Sequence, residues 1–359
     1  MKNKDFLKLV LTSAIYGIVT AVIIVVVNIS VDASSVIRPQ HTELAKLALA
    51  GNTVAAPENY NERVFQVCIV DNMKEIPETV VIGSSRGMFL GREITGYTDI
   101  YNNCVSGACL EDYYALLGLY YDKFGKVPDR VIIETSPWLF YKNNPESRWR
   151  EDGKYNQSAC QFYNMINQAD IPISEDAEKE NPYISFSYFR YNMDKWFEEG
   201  NDIFTEDAHI SDDINEAADY SDGTIRYNAS LENESEERLA GVKATNGACT
   251  YQDSNNMVEI DPDKRKGYEK LIDYLQDSGT EVLIYMQPFS VTQSYYCFDE
   301  NMNPGYPLAY DYLIGLAEKK GIEIHGGYDA RDFELDDVRF IDYMHLDREG
   351  TNIVWNYDK

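Results

Sequence analysis

The chain begins without alternation: after Lys2, Lys4 and Lys8, an uncharged run, LVLTSAIYGIVTAVIIVVVNI, extends from Leu9 to Ile29. A helix crossing a bilayer needs about 20 apolar residues, whereas the apolar part of a cleaved signal is about 7 to 15. The run therefore predicts an uncleaved, single-pass transmembrane anchor over residues 1–30. Cleavage after Val31-Asp32-Ala33 is the alternative. Lysines before the span place the amino terminus in the cytoplasm, so everything from about residue 31 is expected outside it.

Two helix-like stretches, HTELAKLALA and NERVFQVCIVDNM, occupy residues 31–75 and read as a stalk and lead-in. From residue 76 the pattern changes to short apolar runs alternating with amphipathic segments. TVVIG (79–83), DIYNN (99–103) and RVIIET (130–135) read as strands, and LEDYYALLGLYYDKF (110–124) as a helix. The rhythm resumes near residue 263 with KRKGYEKLIDYLQDSG, EVLIYMQP, YPLAYDYLIGLAEKKG and IEIHG. Strands written as continuous Val/Ile runs are covered on both faces, which predicts an α/β fold: a parallel sheet between helices, a three-layer α/β/α sandwich over 76–359. Residues 138–262 interrupt it with acidic segments such as ISEDAEKE and LENESEERL. Their length predicts an inserted, cap-like segment with helices of its own.

An apolar content of 44% suits a filled core, and 60 acidic against 32 basic residues give a net charge of -28. That charge repels phosphate backbones and excludes a nucleic-acid partner. The six cysteines are scattered with no C-x-x-C pair, and the four histidines lie far apart, so no zinc or redox centre and no cofactor or metal is expected.

The candidate chemistry lies at the two ends of the α/β domain. In VVIGSSRG (80–87) a strand runs into a serine pair and a helix-like segment, where a parallel sheet exposes side chains to ligands. Ser85 there is a candidate nucleophile. Its own N–H, with a helix dipole behind it, is a candidate oxyanion donor. G-x-x-x-x-G-K-[ST] and G-x-G-x-x-G spacings are both absent, which disfavours nucleotide binding. In FIDYMHLDREG (340–350), Asp342 and His345 stand three apart, on one side of a turn or first helical turn. The carboxylate can then hold the Nδ1 proton of His345 and leave Nε2 as general base. Gly107, in IYNNCVSGACLED after the second strand, is a candidate second oxyanion donor because a residue without a side chain allows close approach.

The order GSS, then N-x-x-x-G, then Asp-x-x-His near the carboxyl end resembles the SGNH/GDSL hydrolase superfamily, whose fold is flavodoxin-like. The resemblance implies Ser85 as nucleophile and oxyanion donor, Gly107 as oxyanion donor, Asp342 as orienting acid and His345 as base. The third block departs from the pattern: TSPW (Thr135 to Trp138) stands where the family carries Gly-x-Asn-Asp. A backbone N–H near Pro137 or Trp138, or Asn143 or Asn144, is left to replace the missing asparagine. With its amino-terminal span, the chain is also similar to the membrane-anchored teichoic-acid D-alanylation proteins of the DltD type and alginate O-acetylation proteins of the AlgJ/AlgX type. That likeness implies an extracytoplasmic serine esterase or O-acyltransferase acting on acyl, notably O-acetyl, esters of cell-envelope glycans. Its expected partners are an acylated glycan or acyl donor and a membrane-bound O-acyltransferase. The alternative is a non-catalytic protein that binds the glycan or the acyltransferase.

Overall fold

The computed structural model describes residues 3–33, 35–55, 60–173, 181–200, 209–245, 257–299 and 302–357. Most of the acidic ISEDAEKE segment, and Cys249, lie outside them.

The apolar run forms one continuous helix, α1 (Asn3–Val31), and none of its most apolar stretch is buried. It is long and apolar enough to cross a membrane, as a span or a signal sequence. Then come α2 (His41–Leu49), β1 (Val54–Ala55), α3 (Glu62–Asn72) and β2 (Thr79–Ile82). The first half of the sheet is completed by α4 (Arg92–Thr95), β3 (Ile100–Asn102), α5 (Leu110–Phe124) and β4 (Arg130–Glu134). The interruption carries α6 (Gly153–Asn167), α7 (Phe186–Glu199), β5 (His209–Ile210), β6 (Ala218–Asp219), β7 (Ile225–Arg226), α8 (Ala229–Glu232) and α9 (Glu236–Thr245). The second half contains α10 (Pro262–Asp277), β8 (Glu281–Met286), α11 (Val291–Ser294), α12 (Gly305–Lys320), β9 (Glu323–Gly326) and α13 (Arg348–Trp355).

Local chemistry marks the ends of these elements. α5 starts where the Cys109 N–H donates to Asp112 Oδ2 at 2.9 Å, and it stops at Gly125 with φ 71°. α10 begins with Pro262 after Asp261, whose carboxylate accepts from Asp263 and Lys264 N–H at 3.1 and 3.0 Å.

Five parallel strands form the main sheet in the order β3-β2-β4-β8-β9, with Val80 opposite Tyr101 and Val131, and Ile132 opposite Leu283. Alternate strand residues serve different faces. Val80, Ile82, Val131, Ile133 and Ile284 join a core with Leu116, Leu271 and Leu313, whereas Val81, Ile132, Leu283 and Tyr285 meet Leu90, Phe340, Val354 and Trp355. Each fully buried aliphatic side chain contributes about 1.5–3 kcal/mol. Double-faced burial is why these strands read as unbroken apolar runs.

Helices α2 and α3, expected as a stalk and lead-in, pack into this structure: Leu44, Ala45, Phe65, Ile69 and Val70 are buried in the first core. Of the expected cap, α6 packs against α5 and α7 against α1. Strands β5, β6 and β7 join β1 in a small antiparallel sheet, in the order β5-β1-β6-β7, which ties the interruption to the lead-in.

Candidate active site

β2 delivers Ser85 to the carboxyl edge of the sheet. A Cβ on Gly83 would lie 2.5 Å from that of Glu134, so only glycine lets β2 and β4 close together here. The next residue, Ser84, donates its N–H to Glu134 Oε2 at 2.7 Å and accepts from Arg86 N–H at 3.3 Å on its hydroxyl. A single 3₁₀ turn, Ser85–Gly87, follows in place of the expected helix. Asn102 Nδ2 donates to the carbonyls of Gly87 and Leu90 at 2.8 and 2.9 Å, taking acceptors that a longer helix would need. Without aligned helical peptides behind it, any oxyanion support comes from local N–H groups and not from a helix dipole.

His345 arrives from the far end of the chain on a loop closed by the Phe340–Leu346 bridge and by Ile341 N–H donating to the His345 carbonyl at 2.8 Å. The loop is neither helical nor random. Asp342 Oδ1 accepts from the N–H groups of Met344 and His345, both at 2.8 Å, and its Oδ2 lies 2.8 Å from His345 Nδ1. The i, i+3 relationship is thus achieved by an Asp-capped turn and not by a helix. Burial pushes the Asp342 carboxyl up, but the His345 charge and the hydrogen bonds from His345 and Met344 outweigh it, leaving it below its ordinary value. When His345 is neutral, an ionised Asp342 holds the proton on Nδ1 and leaves Nε2 as an acceptor. Nε2 lies 2.8 Å from Ser85 Oγ.

The structure therefore brings Ser85, His345 and Asp342 into one hydrogen-bonded line across 260 positions of sequence. The other histidines have different surroundings. His41 Nε2 accepts from Asn61 N–H at 2.9 Å, His209 lies 3.1 Å from Glu216, and His325 stacks on Trp355 at 3.9 Å.

Gly107 occupies a left-handed turn at φ 62°, a conformation that favours glycine. Val105 N–H donates to the Gly83 carbonyl at 2.9 Å, which holds this loop against the Ser85 strand end. Neighbouring Ser106 is clamped from three sides: Glu62 accepts from its N–H and, at 2.7 Å, from its hydroxyl, while Arg148 donates to its carbonyl at 2.8 Å. Among the described residues no protein acceptor takes the N–H of Ser85 or of Gly107. Two unclaimed N–H groups on neighbouring loops suit a developing oxyanion. Of the candidates for a third donor, Asn144 donates to the Trp138 carbonyl at 3.1 Å and Asn143 is exposed. Neither asparagine bonds to Ser85 or His345.

A buried polar layer beneath the three residues was not foreseen from the sequence. Arg86, 1% exposed, donates from Nε to the Met344 carbonyl at 3.1 Å and from its terminal nitrogens to the carbonyls of Gln287 and Pro288. It also donates to Ser136 Oγ at 3.3 Å, and Ser136 donates to Glu134 Oε1 at 2.6 Å. Its guanidinium lies 4.0 Å from the centre of the Phe289 ring. With its amide turned to satisfy both neighbours, Gln287 donates to the Arg86 carbonyl and accepts from Leu346 N–H. Arg86 and Gln287 thus staple the histidine loop to the serine turn. The available signal was charge in apolar text, an arginine within GSSRGMFL and a glutamate ending RVIIE.

Beside the Ser106 turn lies a cavity of about 170 Å³ lined by Tyr60, Glu62, Met88, Asp219 and Tyr227, among others. Burial and the neighbouring Glu62 push the Asp219 carboxyl up to about 7, against an opposing hydrogen bond from Tyr60 at 3.2 Å.

No family model matches the chain, and no curated protein matches it.

Proposed function

We propose that this chain is a membrane-anchored serine acyltransferase or esterase of the SGNH type, acting outside the cytoplasm on acyl esters of envelope glycans. One observation carries the reading: the continuous hydrogen-bonded line Ser85–His345–Asp342, at 2.8 Å for each link. Strand order β3-β2-β4-β8-β9, with a core on each face, supports a three-layer α/β/α sandwich of flavodoxin-like order, which presents ligands at the carboxyl ends of strands. Lys4 and Lys8 before the apolar run support a cytoplasmic amino terminus.

In this mechanism Ser85 Oγ attacks the acyl carbonyl while His345 Nε2 takes the hydroxyl proton. The N–H groups of Ser85 and Gly107 hold the oxyanion. Collapse expels the alcohol, which takes the proton back from His345 and leaves an ester on Ser85. A glycan hydroxyl or a water then repeats the sequence in reverse, and the group that arrives decides between transfer and hydrolysis. The cavity beside Ser106 offers aromatic rings and carboxylates to a sugar acceptor.

The absent asparagine of the third block favours a second reading, a non-catalytic partner that binds a glycan or a membrane-bound O-acyltransferase. The two readings separate in one assay: turnover of nitrophenyl acetate, then of an acetylated glycan, by the full chain in detergent. Ser85→Ala, His345→Ala and their combination should fall to nearly the same floor, because the residues act as a unit. Asp342→Asn should keep its fold and lose about 10⁴-fold in turnover through the wrong histidine tautomer. Equal activity in wild type and Ser85→Ala would leave the binding reading in place.

A further inference from the structure

One side of the last two turns of α1 packs against α7, and the joint is polar. Asn28, fully buried, donates from Nδ2 to the carbonyls of Pro182 and Ser185 at 2.8 and 3.0 Å, and its Oδ1 accepts from Asn192 at 3.2 Å. Asn192 Oδ1 in turn accepts from Ala33 N–H at 2.9 Å, and the Tyr188 hydroxyl donates to Asp32 at 2.5 Å. Tyr188 and Asn192 are four apart, so one side of α7 is committed to the end of α1.

A different side of α7 is apolar. Phe186, Phe189, Met193 and Phe197 recur at intervals of three and four that place them on one stripe of a helix, and Trp196, four residues after Asn192, lies at the edge of that stripe next to the side that meets α1. Phe197 is 81% exposed and Phe186 63%, and the preceding Ile184 is 65% exposed. Side chains of this size clustered in the open mark a contact surface.

The position of α7 identifies what covers that stripe. From Leu9 to Asn28 a helix rising 1.5 Å per residue spans about 30 Å, the thickness of a hydrocarbon core. Asn28, and the Asn192 side chain of α7 bonded to it, therefore stand at the outer boundary of the bilayer. Aromatic residues concentrate at that depth because their rings tolerate the mixed polarity of the headgroup region. α7 has no cationic excess, with Arg190 and Lys195 against Asp194, Glu198 and Glu199. Its attachment must come from apolar insertion and not from attraction to anionic headgroups.

We propose that α7 is a membrane-surface helix. It lies along the outer leaflet with the Phe186–Phe197 stripe in the acyl boundary, so that α1 and α7 together fix how the domain stands on the bilayer. The proposal rests on α1 being a retained span, and the test separates the two claims. Of the four tryptophans, Trp138, Trp149 and Trp355 are 6% exposed or less, which leaves Trp196 as the reporter that lipid can reach. The full chain is reconstituted in phosphatidylcholine vesicles carrying bromine at shallow or deep acyl positions. Shallow bromine should remove most of the emission that Trp196→Phe eliminates, and aqueous iodide should remove little of it. A Val19→Trp, Trp196→Phe chain should be quenched by deep bromine if α1 spans the membrane. Lipid quenching of the Val19→Trp reporter, with Trp196 quenched only by iodide, would keep the span and overturn the proposal. Failure of lipid to quench either reporter would overturn both.

Discussion

Arg86 donates from Nε to the carbonyl of Met344 at 3.1 Å, joining the residue after Ser85 to the residue before His345. Both residues are buried, so the distance between the serine turn and the histidine loop is set by a charged staple and not by solvent-exposed loop packing. Its compensating charge, Glu134, is reached through Ser136.

Removing Arg86 leaves buried Glu134 without its bridged counter-charge and buried carbonyls without their donor, at a cost of about 1–3 kcal/mol for each group left unsatisfied. Arg86→Met should therefore lower the unfolding free energy by that order and reduce kcat with little change in KM. Adding Glu134→Gln should recover part of the stability but not kcat, because the Met344 carbonyl remains unheld. Thermal unfolding and steady-state kinetics on both chains check this. Recovery of kcat along with stability would show that Arg86 serves folding alone.

Gly107 tests the oxyanion assignment. A side chain at φ 62° costs about 1–2 kcal/mol and moves the N–H away from its direction. Gly107→Ala should lower kcat by about 10²- to 10³-fold, the usual loss of one donor, while KM changes little. A turnover unchanged within error would remove Gly107 from the site.

Much of this architecture was legible locally. The α5 pattern runs to a glycine stop at Gly125, and the strand runs are continuous because both sheet faces are buried. Ser85, Asp342 and His345 were legible because each lies in a short motif with its own chemical logic. The remainder depends on contacts between distant residues, which leave no local period. Glu62 reads as part of a lead-in helix, yet its carboxylate fixes the Ser106 turn across 44 positions. The helix expected after Ser85 yields to one 3₁₀ turn because Asn102, on the next strand, takes its carbonyls. Strands of two residues, such as β6 and β7, are too short for any alternation to show.

Asp219 should give a measurable pH signature. Its carboxyl loses its proton near 3.8 in an unfolded chain and at about 7 in the fold, so between these values the folded state holds one more proton. The stability it contributes is therefore fully present below the lower value and is lost as pH rises through about 7, on the order of 4 kcal/mol. Asp219→Asn should gain stability relative to wild type between pH 5 and about 8, read as a widening difference in Tm. A difference that stays constant over that range would show that Asp219 is ionised throughout.

The most direct measurement of the catalytic claim is covalent labelling of the full chain in detergent with a fluorophosphonate, followed by intact mass and peptide mapping. The account predicts one adduct, on Ser85, formed at a rate that His345→Ala reduces by several orders of magnitude without unfolding the protein. An unlabelled wild-type chain, or an adduct that persists at the same rate in Ser85→Ala, would contradict it.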